Sequence, residues 1–332
     1  MKSRNASAVL FGFDFQINAA IVLMLDNIKD LKSLKLEGNY EDIELTFNNG
    51  DIVLAQAKAV VNSSYDFRNV RQNLNKALKS LSEGCRKTGS QKAIFITNSP
   101  NPFNDDESKS VFCGLSRRKF CDIPPSAQNI IRDYLKDIND PINPEFLTVR
   151  VLPFETDDET ERYKVVKQCV LDFLGSLNIN DNILGYKLLP VWQKEIFKNG
   201  TLRNTAQKLN KEDIVWPIIV IMTDVQNIDF LDQFDKGVYE EIVQKYKDTI
   251  NTSCERMESV TKILYDFYNF NSSKPLKEKC NDFIENSWES YMPEFDVDGI
   301  APEIKELLIK TILHGVLNRR IKIDKIRLGT GI

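Results

Sequence analysis

The chain has 332 residues, 42% apolar and 28% charged, enough for a sizeable core and, at about 100–200 residues per domain, for two domains. Its 44 basic and 48 acidic residues give a net charge of −4, so a nucleic-acid surface would have to be a local patch. His314 is the only histidine: it leaves room for one Ser-His-Asp triad at most and excludes His-rich zinc hydrolases, HExxH proteases and two-histidine nucleases.

Residues 13–28 are predicted to form a buried helix, because apolar side chains fall on nearly every face after the entry Gly12-Phe13-Asp14. The clearest local signal comes next. Ile43, Leu45 and Phe47 alternate with Asp42, Glu44 and Thr46, followed by Asn48-Asn49-Gly50 and a second extended run over 52–58. A polar amphipathic helix is predicted over 67–81 and a short apolar strand over 93–97, ending in Asn98-Ser99-Pro100-Asn101-Pro102. A loop-rich insertion with one more helix leads to a strand over 146–151. The alternation argues for a mixed α/β (α+β) domain, a mixed sheet flanked by helices.

Beyond Pro153 the pattern turns helical, with helices predicted over 161–174, 189–197, 201–209, 276–288 and 302–317, and a long amphipathic segment over 239–270. The boundary is placed near 225, giving a domain over 1–225 and a mostly helical regulatory or partner-docking region over 226–332. Six cysteines lie far apart with no CxxC pair, which fits reduced, packed thiols. The apolar run 19–25 is flanked by Asp14, Gln16, Asn18 and Asp26 without a small-residue cleavage site. The run 215–222 is well short of the roughly 20 residues a spanning helix needs. A soluble, cytoplasmic protein without a membrane partner is expected.

The hairpin carries chemistry. Phosphodiester cleavage needs a divalent cation to neutralise the phosphate and activate water. Mg2+ (or Mn2+) takes one or two carboxylates plus neutral oxygens, and Asp42 and the Gln56 side-chain carbonyl supply one of each. Lys58, two residues on and on the same strand face, can hold the attacking water and the phosphate. Loop length decides whether these residues meet. A two-residue Asn49-Gly50 loop would set Asp42 opposite Ala57, on the wrong face. A three-residue Asn48-Asn49-Gly50 loop sets Asp42 opposite Gln56, with Gly50 at the position that favours a left-handed residue. On that register Glu44 shares the face and is a candidate second metal ligand. Each carboxylate alone reads as ordinary strand-face polarity; the matched register makes the set a site.

These residues resemble a family. Asp42-(x13)-Gln56-x-Lys58, preceded by a helix carrying Gln16 and by Leu36-Glu37-Gly38, looks like the Mrr-like branch of the PD-(D/E)xK nucleases, in which glutamine replaces an acidic residue. Gly12-Phe-Asp-Phe-Gln16, Glu37-x4-Asp42-Ile-Glu, Gln56-x-Lys58 and Ile94-Phe-Ile-Thr-Asn98 resemble more closely the nuclease domain of bacterial antiphage effectors. Such domains occur fused to SAVED sensors in CBASS, and in Lamassu and other ABC-three-component systems alongside an SMC-like ATPase. The resemblance covers about residues 10–100 and fades beyond about 225. It implies a restriction-endonuclease-like fold and a Mg2+-dependent endonuclease acting on double-stranded DNA. Asp42 and Gln56 would be ligands, Lys58 the catalytic cation, and Gln16 and Glu37 additional site residues. Glu41 stands where the family's name has proline.

A basic stretch supports the DNA reading. Between Lys58 and Lys92 eight cations face two carboxylates, and Arg68, Arg71, Lys76 and Lys79 are the candidate DNA-backbone contacts. The acids Glu155, Asp157, Asp158, Glu159 and Glu161 read as an enriched helix start, and His314 and the 265–270 aromatics as packing. The expectation is an antiviral defence effector, held silent until an SMC-like ATPase partner or homo-oligomerisation licenses it. The alternatives are a non-catalytic scaffold with a nuclease-like fold and a cyclic-oligonucleotide-activated CBASS nuclease. The last ranks lower because 226–318 reads as helix rather than alternating strands and helices.

Overall fold

A computed structural model of the chain describes residues 6–63, 65, 67–155, 158–179, 182–223, 242, 244–246, 250, 256–295 and 300–332. The chain divides into two compact units, residues 1–214 with Gly331 and residues 215–330 with Ile332. The expected boundary at 225/226 lies outside the described residues, as do 239–241, 243, 247–249 and 251–255 of the expected segment 239–270.

The first unit is built on a mixed seven-stranded sheet. Its strands in chain order are β1 (Leu31–Leu36), β2 (Ile43–Phe47), β3 (Ile52–Lys58), β4 (Ala93–Thr97), β5 (Ser116–Lys119), β6 (Leu147–Val151) and β7 (Leu209–Asn210), in the spatial order β5-β6-β4-β3-β2-β1-β7. β1, β2 and β3 form an antiparallel meander, β3, β4 and β6 run parallel, and β5 and β7 add antiparallel edges. β3 is buried along almost its whole length, so both faces of the sheet must be covered. Helices α2 (Val70–Thr88) and α3 (Pro125–Lys136) seal one face. Leu74, Leu78 and Leu81 of α2, spaced for one helical stripe, meet Leu54, Phe95 and Val149 of the sheet and Ile131 of α3. Helix α1 (Ala6–Asp26) lies along β1, β2 and β3 and packs on α4 (Glu159–Ser176) and α5 (Asn182–Thr201). Its length and composition would suffice to cross a membrane, but Ala19–Met24 are almost wholly buried inside this unit, which accounts for the hydropathy.

Several expected elements differ from what folds. Helix α1 starts at Ala6 rather than at 13, and α2 runs on to Thr88, where Gly89 closes it. β1 was not expected. Its sequence Leu-Lys-Ser-Leu-Lys-Leu hides a buried strand because Lys35 is itself buried, its Nζ donating to the Asn199 carbonyl at 2.7 Å. β5, Ser-Arg-Arg-Lys, is a polar edge strand with no apolar period to find. The helices expected at 189–197 and 201–209 are instead one helix, α5, and then a loop. Pro190 is tolerated inside α5 because the carbonyl it frees belongs to the exposed Tyr186. After Thr201 the Asn199 amide holds the Gln207 carbonyl at 3.0 Å and Asn204 forms a local turn, which ends the helix before β7.

The described elements of the second unit are all helices. It opens within α6 (Lys211–Thr223) and continues with α7 (Met257–Asn269), α8 (Leu276–Ser287) and α9 (Pro302–Thr330), which is 13 residues longer than expected. Phe283 of α8 receives Phe267 and Phe270 edge-on at 5.5 Å each, and the Tyr291 hydroxyl donates to Asp266 at 2.7 Å. Ile309, Ile312, Leu313 and Val316 form the buried stripe of α9, and burial lowers the pKa of His314 beside them.

Candidate active site

The turn between β1 and β2 and the hairpin β2–β3 bring the site together. Glu37 N–H donates to the Asp42 carbonyl at 2.8 Å and Gly38 N–H to the Glu41 carbonyl at 3.1 Å, extending the β1–β2 ladder past Leu36 and Ile43. Glu37 sits at φ +51°, a left-handed conformation costly for a residue with a Cβ. Gly38 lies so close to Glu44 that an added Cβ would fall 2.3 Å from its carboxylate.

The hairpin has the three-residue loop. Ile43 pairs with Ala55 and Thr46 with Ile52, and the Phe47 amide donates to the Asp51 carbonyl at 2.9 Å. Gly50 closes the loop at φ +87°, where only glycine is unstrained. Continued by one residue, that register sets Asp42 across from Gln56.

Three donors meet one oxygen there. Asp42 Oδ2 accepts from the Gln56 side-chain amide, from the Ala57 backbone N–H at 3.0 Å and, as an ion pair at 3.5 Å, from Lys58 Nζ. Lys58 keeps 29% of its side chain exposed and Asp42 16%, so solvent reaches the pair, whereas Gln56 is buried. The exit from β3 is fixed behind Lys58. Asn98, buried at the end of β4, accepts from the Val60 amide at 2.7 Å and donates to the Val60 and Phe154 carbonyls at 2.8 and 2.9 Å.

The acids around Asp42 are electrostatically tense. Burial pushes the Glu37 carboxyl above its usual range and the Asp42 charge adds to it, while the Gln16 amide and the Lys58 ammonium pull back. Gln16 and Glu37 therefore stand in the same neighbourhood as Asp42 and Lys58. Glu41 is buried with no hydrogen-bond partner on either carboxylate oxygen. Burial drives it up to about 8; the Ser80 hydroxyl, near but outside hydrogen-bonding geometry, and Lys58 lower it, and the Asp42 charge raises it. Nothing in the sequence marks Glu41 as buried.

Glu44 shares the strand face of Asp42, as expected, but its carboxylate is engaged elsewhere. Oε1 takes the Tyr40 amide at 2.7 Å, so Glu44 holds the turn that aims Glu37 and Asp42. Among the described residues no three of His, Cys, Asp and Glu gather as a metal-holding group. The donor set that fits a hard divalent cation is the mutually repelling Asp42 and Glu37 carboxylates with the Gln56 amide oxygen. To offer that oxygen, the Gln56 amide must turn over from its hydrogen bond to Asp42.

α2 starts at the same end of the sheet as Lys58, because it links the end of β3 to the start of β4. Arg68 precedes its first turn, and Lys76 lies six residues along it, about 9 Å by helical rise. Arg68, Lys76 and Lys79 are exposed. Arg71 is also exposed, but its Nε donates to the Phe103 carbonyl at 2.8 Å, which ties it to the loop after β4.

Comparison with family models, with curated proteins and with solved structures gives no match for this chain.

Proposed function

We propose that this chain is a divalent-metal-dependent DNA endonuclease, the effector subunit of a bacterial antiphage defence system of the Lamassu type, working in the cytoplasm. The observation that carries the reading is the register of one hairpin: Asp42 faces Gln56, and Lys58 completes the set at 3.5 Å. It is supported by the resemblance of residues 10–100 to PD-(D/E)xK nucleases and by the mixed sheet beneath the site.

In this reading Asp42, Glu37 and the Gln56 carbonyl would hold Mg2+ or Mn2+, which supplies charge neutralisation of the phosphate and a more acidic bound water. Lys58 would release Asp42 as the phosphate arrives, and its ammonium would then stabilise the negative charge on the phosphoryl oxygens as water, giving up a proton to solvent, bonds to phosphorus and the P–O bond to the leaving sugar oxygen, which takes up a proton from solvent, breaks. Glu44 and Gly38 keep the Glu37–Asp42 turn in place. Arg68, Lys76 and Lys79 hold the backbone of duplex DNA at the end of the sheet where Lys58 lies. The helical second unit docks the licensing partner, an SMC-like ATPase or further copies of the chain, which keeps a cytoplasmic nuclease silent until it is needed.

A second reading, a scaffold subunit that retains the fold without the chemistry, is favoured by one observation: no three His, Cys, Asp or Glu converge among the described residues. Incubating supercoiled plasmid and Mg2+ with the chain, alone, oligomerised and assembled with its partner, separates the two. Nicking or linearisation that disappears in Lys58→Ala supports the nuclease. No cleavage in any state, or equal cleavage by Lys58→Ala, supports the scaffold.

A further inference from the structure

At the closed end of the β2–β3 hairpin, five strand residues and so about 17 Å from Lys58, the first unit holds a cavity of about 610 Å3. That size lies within the range of small-molecule sites. Its charge is unusual for an acidic protein: Lys92, Arg117, Lys119 and Arg150 line it against Asp30 and Glu145.

The strand register concentrates this charge. Arg117 on β5 stands directly opposite Arg150 on β6, and Lys119 opposite Thr148, so all four side chains project from one face. Like charges placed directly across a strand pair repel. Arg150 is buried; its Nη1 is paired with Asp26, but its Nε has no hydrogen-bond partner. Neither Arg117 nor Lys119 forms an ion pair among the described residues. Lys92 is paired with Asp51 at 2.9 Å and lies over the Phe47 ring at 5.7 Å. Two cations that form no ion pair among the described residues, the Arg150 side chain and two flat rings, Phe47 and Phe146, thus line one cavity.

We propose that this cavity is a binding site for a phosphorylated small molecule of nucleotide type, its phosphate held by Arg117, Lys119 and Arg150 and its base against Phe47 or Phe146. An anion there relieves the repulsion between the two arginines, and a flat base matches the ring faces better than an aliphatic phosphate would. The site is independent of the nuclease reading, because it shares no residue with Asp42, Gln56 or Lys58.

Isothermal titration of the full chain in EDTA, with AMP and with inorganic phosphate as probes, tests it. AMP should bind with a dissociation constant of about 1 mM or tighter, and more tightly than phosphate. The double variant Arg117→Gln/Lys119→Gln, altered only at exposed positions, should bind AMP about tenfold more weakly or worse at unchanged melting temperature. Lys58→Ala should bind AMP like the unaltered chain. The proposal is overturned if AMP gives no saturable binding, if phosphate binds as tightly as AMP, if the double variant binds AMP unchanged, or if a DNA duplex rather than AMP is lost with those two residues.

Discussion

Asp42 stands just before β2 and Gln56 on β3, fourteen residues apart in sequence, yet the Gln56 amide donates to Asp42 Oδ2. That contact exists because the loop between them contains three residues and not two. Shortened by one residue, the hairpin would turn Asp42 toward Ala57 and away from both Gln56 and Lys58.

Gly50 secures that loop, so its replacement has a graded cost. Gly50→Ala should destabilise the chain by about 1 kcal/mol and Gly50→Asn by less, since asparagine tolerates the left-handed region better. Urea unfolding measures both; equal losses would mean that φ at this position is not what matters.

Asn98 holds the strand exits behind Lys58. Asn98→Ala leaves the Val60 amide and two buried carbonyls unpaired, and should cost about 3 kcal/mol with a lowered urea midpoint. Asn98→Asp keeps the acceptor but loses both donors, so it should also destabilise. Neutral behaviour of both variants would contradict the latch.

The Gln56 carbonyl is assigned as a neutral ligand. Gln56→Glu offers the cation a charged oxygen and should keep cleavage within about tenfold, whereas Gln56→Leu should lose about a hundredfold. In EDTA the Gln56→Glu chain should be the less stable of the two, because Asp42 and its new carboxylate would then share the Lys58 ammonium. Plasmid cleavage and thermal melts read these outcomes; cleavage by Gln56→Leu at the full rate would remove Gln56 from the site.

Glu41 makes stability depend on pH. Its folded pKa, about 8, lies above its unfolded value near 4.5, so the folded state binds the proton more tightly. The associated stability is fully present below pH 4.5 and is lost as pH rises through 8. Glu41→Gln, neutral throughout, should match the unaltered chain near pH 4.5 and exceed it by about 3–5 kcal/mol above pH 8, measured in EDTA. A pH-independent difference would mean that Glu41 is solvated in the fold.

The hairpin was legible because local rules specify it: alternation in β2, a glycine at the third loop position, and Gln-x-Lys on one strand face. The helix pattern of α2 was legible for the same reason, its apolar stripe being local. What failed depended on distant partners. Lys35 reads as a surface lysine until Asn199, 164 residues away, takes its ammonium, and β1 cannot be seen without it. The role of Glu44 is set by the Tyr40 amide and the closeness of Gly38, which no spacing rule encodes. The facing of Arg117 and Arg150 requires β5 to pair with β6, and Ser-Arg-Arg-Lys carries no strand signal.

The most direct measurement is anomalous diffraction from crystals soaked in Mn2+. One peak is expected about 2.1 Å from an Asp42 oxygen, with Glu37 and the Gln56 carbonyl completing the protein ligands, and no peak in Asp42→Asn. Crystals without manganese at Asp42, or with manganese bound equally in Asp42→Asn, would contradict it.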